Sequence, residues 1–180
     1  MKIGLVRHFK VITPPGKRKL NSIEFDARMN GYDVYPVRAN DLKINEEEWD
    51  VCYASTLSRA QTTAKTIYAG KIMSTPLIIE VPLSSFIKTS YNLHYMIWQI
   101  LGRIAWFFLL KNQSENKTET LARIYKFIRL LENSGYENIL IVSHGFFMKI
   151  LARELKKRGF RGELEFSPQN GKLYIFKDDT

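Results

Sequence analysis

The chain alternates short apolar runs with longer amphipathic stretches. Lys2–Val6 is a brief apolar run and reads as a buried strand. Val51–Ser55 reads as a second, Leu77–Val81 as a third ended by Pro82, and Ile139–Val142 as a fourth. Between them lie helical periods. Ser22–Asn30 forms a short helix with Gly31 as its stop signal. Leu57–Tyr68 places Ala60, Ala64 and Ile67 on one face, and Gly70 closes it. Thr118–Asn133 aligns Leu121, Ile124, Tyr125, Ile128 and Leu131, with Gly135 just past its end. Phe146–Arg158 gathers Lys and Arg near its C-terminus, where they complement the helix dipole. Leu164–Phe166 and Leu173–Phe176 read as two closing strands, a possible hairpin. Strands alternating with helices predict an α/β fold of three layers, α/β/α, with a mostly parallel central sheet.

Three segments break this rhythm. Thr13-Pro14-Pro15-Gly16 followed by Lys17-Arg18-Lys19 is a basic loop. Asn112–Lys117 is a polar turn. Leu93–Leu110 is long and apolar, but His94, Gln99 and Arg103 interrupt it and its length is at the short limit for a membrane span. A helix packed on the domain, or one exposed as a lid or contact surface, fits it better. No linker or repeat divides the chain, so residues 1–180 are expected to form one domain.

Composition narrows the function classes. Hydrophobic residues make up 45% and charged residues 25%, which excludes disorder and coiled coil. The net charge of +9 favours an anionic partner. No helix-turn-helix, RNA-binding aromatic motif or zinc-ligand spacing accompanies it, so nucleic acid is not expected. Cys52 stands alone in an apolar stretch and reads as a buried, inert thiol. With no disulfide and no signal peptide, a cytoplasmic setting is expected.

Candidate chemistry collects after the strand-like runs, where parallel sheets hold their ligands. Arg7-His8 follows the first run, Ser55 and then Arg59 the second, Glu80 the third, and Ser143-His144-Gly145 the fourth. Two of the three His in the chain sit at such ends. The grouping suits phosphoryl transfer. Arg presents a planar, permanently charged fork to phosphate oxygens. A neutral imidazole can attack phosphorus, and a carboxyl group can protonate the leaving oxygen. Ser55 and Ser143 have a plainer reading as helix caps, and a strand-end Glu80 as a solvated side chain.

These segments resemble the histidine phosphatase superfamily, the phosphoglycerate-mutase-like fold. Leu5-Val6-Arg7-His8 resembles its Arg-His-Gly motif, and Ser55-Thr-Leu-Ser-Arg59-Ala-Gln-Thr62-Thr-Ala64 is similar to its S-x-L-x-R-A-x-x-T-A segment. Ser114-Glu115 with Arg123, and Val142-Ser-His144-Gly145, match its later motifs in order. The resemblance implies a metal-independent phosphatase, with no cofactor, that hydrolyses a phosphomonoester through a phosphohistidine. His8 would be the nucleophile, Arg7 and Arg59 would clamp the phosphoryl oxygens, His144 would donate a hydrogen bond to the group in transfer, and Glu80 would be the acid/base. The substrate would be a phosphorylated small molecule or a phosphoprotein. Residues 82–113 would form a cap segment.

Two departures from the family pattern keep alternatives open. Phe9 and Lys10 stand where the family has Gly and an acidic or amide residue, and a Gly in a tight loop permits backbone that a bulky side chain resists. The family's phosphate-binding Asn has no clear counterpart, since Asn21 lies across the Pro-Pro-Gly stretch. The alternative is a binding module that keeps the phosphate pocket with weak or no turnover. A mutase fits less well, because family mutases carry longer insertions.

Overall fold

The computed structural model describes residues 1–110 and 113–178. Asn112, part of the expected polar turn, lies outside them. In chain order the elements are β1 (Lys2–Arg7), β2 (Lys10–Val11), β3 (Lys19–Leu20), α1 (Ser22–Gly31), β4 (Val37–Arg38), β5 (Val51–Ser55), α2 (Ser58–Ile67) and β6 (Ile72–Thr75). There follow β7 (Leu93–His94), α3 (Tyr95–Phe107), α4 (Lys117–Glu132), β8 (Asn138–Ser143), α5 (Gly145–Lys157), β9 (Arg161–Gly162) and β10 (Leu173–Lys177). They divide into two compact units. The first comprises Met1–Ile12, Pro36–Glu80 and Arg123–Thr180, the second Thr13–Tyr35 and Val81–Ala122.

The first unit is built on a six-stranded sheet of order β6-β5-β8-β1-β10-β9. β6, β5, β8 and β1 run parallel, and β10 and β9 join antiparallel. The central strands are continuous apolar runs because both faces are covered. Val6, Cys52, Ala54, Leu140 and Val142 pack with Ala60, Ala64 and Ile67 of α2. On the opposite face Tyr53 meets Phe127 of α4 edge-on, 5.7 Å between ring centres. Gly4 must be glycine, because a Cβ there would run into the Trp49 ring. Cys52 is buried, which pushes its thiol up to about 12 and keeps it protonated.

Two expected strands fall elsewhere. The third parallel strand is Ile72–Thr75, and the apolar 77–79 stretch is taken up by a 3-10 turn, Pro76–Ile78, with Ile79 as its C-cap. As an edge strand β6 is half solvated and has no apolar run to mark it. The second partner of β10, beside β1, is Arg161–Gly162, and Phe166 is 92% exposed.

The second unit has its own core. Phe25 of α1 stacks on Trp98 of α3 at 5.5 Å, and Leu20 and Leu83 close around them. The Trp98 indole N–H donates to the Leu20 carbonyl at 2.7 Å. Arg103 donates to the carbonyls of Val81 and Pro82, fixing the segment in front of α3. Asn21 caps α1: its side chain accepts from Glu24 N–H, and the Glu24 carboxylate accepts from Asn21 N–H. His94 caps α3 in the same manner, accepting from Met96 N–H.

Candidate active site

The register of the first unit brings the predicted motifs side by side. Arg7 at the end of β1 lies opposite Ser143 at the end of β8, and Ala54 of β5 lies opposite Val142. The residues at or just beyond the ends of three adjacent parallel strands therefore share one rim: His8, His144 and Ser55. The two imidazole centres are 5.1 Å apart.

His8 is held at one ring nitrogen and His144 at both. His8 Nδ1 lies 2.7 Å from the Phe9 carbonyl, which can only accept, so Nδ1 carries the proton and Nε2 holds the lone pair. His8 N–H donates to the Ser143 carbonyl, and the Asn170 side-chain amide donates to the His8 carbonyl. Arg59 Nε donates to His144 Nδ1 at 3.2 Å. His144 therefore carries its proton on Nε2 and donates it to Ser55 Oγ at 2.8 Å. In this structure the His144 donor is directed at Ser55.

Both rings are held neutral. Burial lowers His8 from 6.5 to about 3, with Arg59 and Arg7 adding to the effect. Burial again, then His8, Arg59 and Arg7, hold His144 well below its ordinary value. A depressed histidine pKa sets the sign of a pH dependence. Above pH 6.5 neither state of the chain protonates these rings. Below it the unfolded chain takes up protons that the folded chain refuses, so stability falls toward pH 3, the folded value of His8. Each ring contributes up to about 1.4 kcal/mol per pH unit in that window. Urea midpoints measured from about pH 7 down to pH 5 should fall steeply, with a shallower slope in His8→Ala; a flat wild-type profile would contradict this burial.

The cations are arranged around the rings. Arg7 donates to the Pro168 carbonyl at 2.8 Å, while its Nε is buried with no partner among the described residues. Such a donor is costly unless a ligand oxygen accepts from it. Gly145 lets Arg7 lie against the start of α5, since a Cβ there would sit 3.1 Å from Arg7 Nε. Arg59 is buried at the start of α2.

Glu80 is placed differently from the other four. Its carboxylate accepts from the N–H groups of Phe146 and Phe147, in the first turn of α5 just past His144. It caps the helix that carries the second histidine. Arg123 holds the approach to Glu80: it donates to the carbonyls of Leu77 and Ile79 and lies over the Phe147 ring. Ser143 Oγ donates to the Ile78 carbonyl.

Phe9 shows how the chain replaces the expected glycine. Its φ is not positive, so the loop makes no demand that only Gly can meet. Its ring is buried in the core cluster that also holds Val6, Ala60 and Ala64, and its N–H donates to Thr63 Oγ1, which in turn donates to the Arg59 carbonyl. Sequence reasoning missed Thr63 and Asn170, whose partners are 54 and 162 residues away along the chain. Among the described residues no three His, Cys, Asp or Glu side chains group as a metal site would need.

The sequence model of the histidine phosphatase superfamily, branch 1, matches residues 37–179. The chain belongs to this superfamily. Membership implies a phosphorylated substrate. Arg7 and His8 precede the matched range and are tied to it by strand register, Arg7 facing Ser143. No curated protein sequence matches. The fold is similar to a mycobacterial hydrolase, with TM-score 0.54, 15% identity and coverage of 87% of this chain and 72% of the other. It is also similar to a protein of Escherichia coli K-12 assigned as an alpha-ribazole-5'-P phosphatase, with TM-score 0.51, 19% identity and coverage of 97% and 89%. A third likeness is to the Rv3214 open reading frame product of Mycobacterium tuberculosis, with TM-score 0.50, 18% identity and coverage of 97% and 89%. At these identities the likeness is one of fold. No helix among the described residues is long and apolar enough to cross a membrane.

Proposed function

We propose that the protein hydrolyses a phosphomonoester through a phosphohistidine on His8, without a metal. The observation that carries this reading is the His8 ring itself. Its Nδ1–H is bound to the Phe9 carbonyl, and burial beside two guanidinium groups keeps it neutral, so Nε2 offers a lone pair at any ordinary pH. Nε2 attacks phosphorus, and the P–O bond to the leaving group breaks as Glu80 delivers a proton to that oxygen. Glu80 then takes a proton from water. The resulting hydroxide attacks phosphorus, the P–N bond breaks, and phosphate and neutral His8 are released. Arg7 Nε and the Arg59 guanidinium stabilise the equatorial oxygens. His144, oriented by Arg59 and Ser55, lies beside the nucleophile. The substrate is a phosphorylated small molecule or a phosphoprotein rather than nucleic acid, and residues 82–113 serve as the cap.

A second reading rests on Glu80. Both its oxygens already accept from the start of α5, which favours a phosphate-binding module with little turnover. Hydrolysis of an aryl phosphate in EDTA, wild type beside Glu80→Gln, separates the two. As acid/base, Glu80→Gln should lower turnover roughly 10²–10³-fold and cost about 1 kcal/mol of stability by weakening the cap. An unchanged rate with the same loss of stability would leave Glu80 a helix cap only. A folded wild type that binds vanadate and turns nothing over would favour the binding module.

A further inference from the structure

Helix α3 is apolar over most of its circumference, broken on one flank by Gln99 and Arg103, and only one side of it is buried. Trp98, Gly102, Ala105 and Trp106 face the core of the second unit. On the opposite side Met96, Ile97, Ile100, Ile104, Phe107 and Phe108 are each between 43% and 66% exposed. They form one stripe, about 18 Å long at the rise of an α-helix. A helix with two apolar faces normally buries both, and contiguous exposed apolar surface of this kind marks an interaction site.

The helix end repeats the theme. Leu110 N–H reaches back to Ala105 and Leu109 N–H to Trp106, a turn that normally places Gly at residue 109. Here Leu109 takes a φ of 60°, and Leu109 and Leu110 are both about half exposed. Two more apolar side chains are thus presented where glycine would relax the backbone.

Cations bracket the stripe. At its start, β3 pairs with β7, Lys19 lies opposite His94, and Tyr95 N–H donates to the Arg18 carbonyl, which sets the exposed basic loop beside the first turn of α3. At its far end Lys117 Nζ lies 4.0 Å from the Phe107 ring centre. From Val81 to Ser114 the chain has no Asp or Glu.

We infer that this face docks on the surface of an anionic lipid bilayer. The apolar stripe would lie among the outer acyl chains, and the flanking cations would meet lipid phosphates. Self-association suits the face less well. Pairing two copies of α3 in either direction sets cationic ends against cationic ends; α3 itself holds no acid, and Glu24 is already paired with Lys17. An acidic protein partner would answer the cations and leave the stripe without a match.

The test is flotation of the full chain with phosphatidylcholine vesicles, with and without phosphatidylglycerol, beside the double variant Ile100→Ser, Ile104→Ser. Both side chains are exposed, so the variant should keep the wild-type near-ultraviolet dichroism. The wild type should float with the anionic vesicles, and the double variant should bind them about tenfold or more weakly. Absence of binding to anionic vesicles at low salt would overturn the inference, as would equal binding by the variant. A wild-type dimer in sedimentation equilibrium that the same substitutions dissociate would also overturn it, and would assign the face to a second copy.

Discussion

His8→Ala should lower aryl phosphate turnover by about 10⁴-fold or more, the scale seen when a covalent nucleophile is removed. The loss should fall on kcat, because the proposed role of His8 is in the chemical step rather than in holding the substrate. The fold should survive. The contacts that tie position 8 to the sheet, His8 N–H to the Ser143 carbonyl and the His8 carbonyl to Asn170, are made by backbone groups that alanine keeps. The variant should still bind vanadate, since Arg7 and Arg59 are unchanged. It should also lose the acid-labile phosphoenzyme that quenched wild type would show. Turnover equal to wild type would end the phosphohistidine mechanism.

Phe9→Gly should destabilise the protein by about 4 kcal/mol, although it restores the residue usual in the family motif. Emptying a buried phenylalanine site costs about 3–5 kcal/mol, and a glycine adds some backbone entropy to the unfolded chain. Phe9 is 1% exposed and belongs to a buried core cluster with Val6, Ala60 and Ala64. For a chain of this size the melting temperature should drop by roughly 10 °C. Activity measured well below that temperature should change far less, because the Phe9 carbonyl that orients His8 belongs to the backbone. A stability equal to wild type would show that the ring does not hold the loop.

The residues that were legible in the sequence share one property. Arg7-His8, Ser55, Arg59 and Ser143-His144 each follow a run buried on both faces, so an apolar pattern points to the strand end where they sit. Glu80 was legible as a residue, but its attachment to the first turn of α5 was not, since it depends on how the 3-10 turn after Pro76 folds back. β6 and β9 escaped because edge strands need only backbone pairing, which leaves no mark in side-chain pattern. Asn170 and Thr63 are ordinary polar residues whose importance comes from partners far along the chain. The Gly-to-Phe change was visible, but the burial of its ring in one core cluster with residues of α2 was not.

The placement of β1 has a consequence for how the protein is made. β1 carries Arg7 and leads into His8, yet its neighbours are β8, beginning at Asn138, and β10, beginning at Leu173. A ribosome releases β1 well before either of these partners. The segment that leads into His8 must therefore wait, unpaired, until β8 and β10 emerge, while β5, α2 and β6 can associate locally. Contacts of such sequence separation slow folding. The two histidines should meet in the closing step, so catalytic competence should lag behind helix formation in a refolding time course.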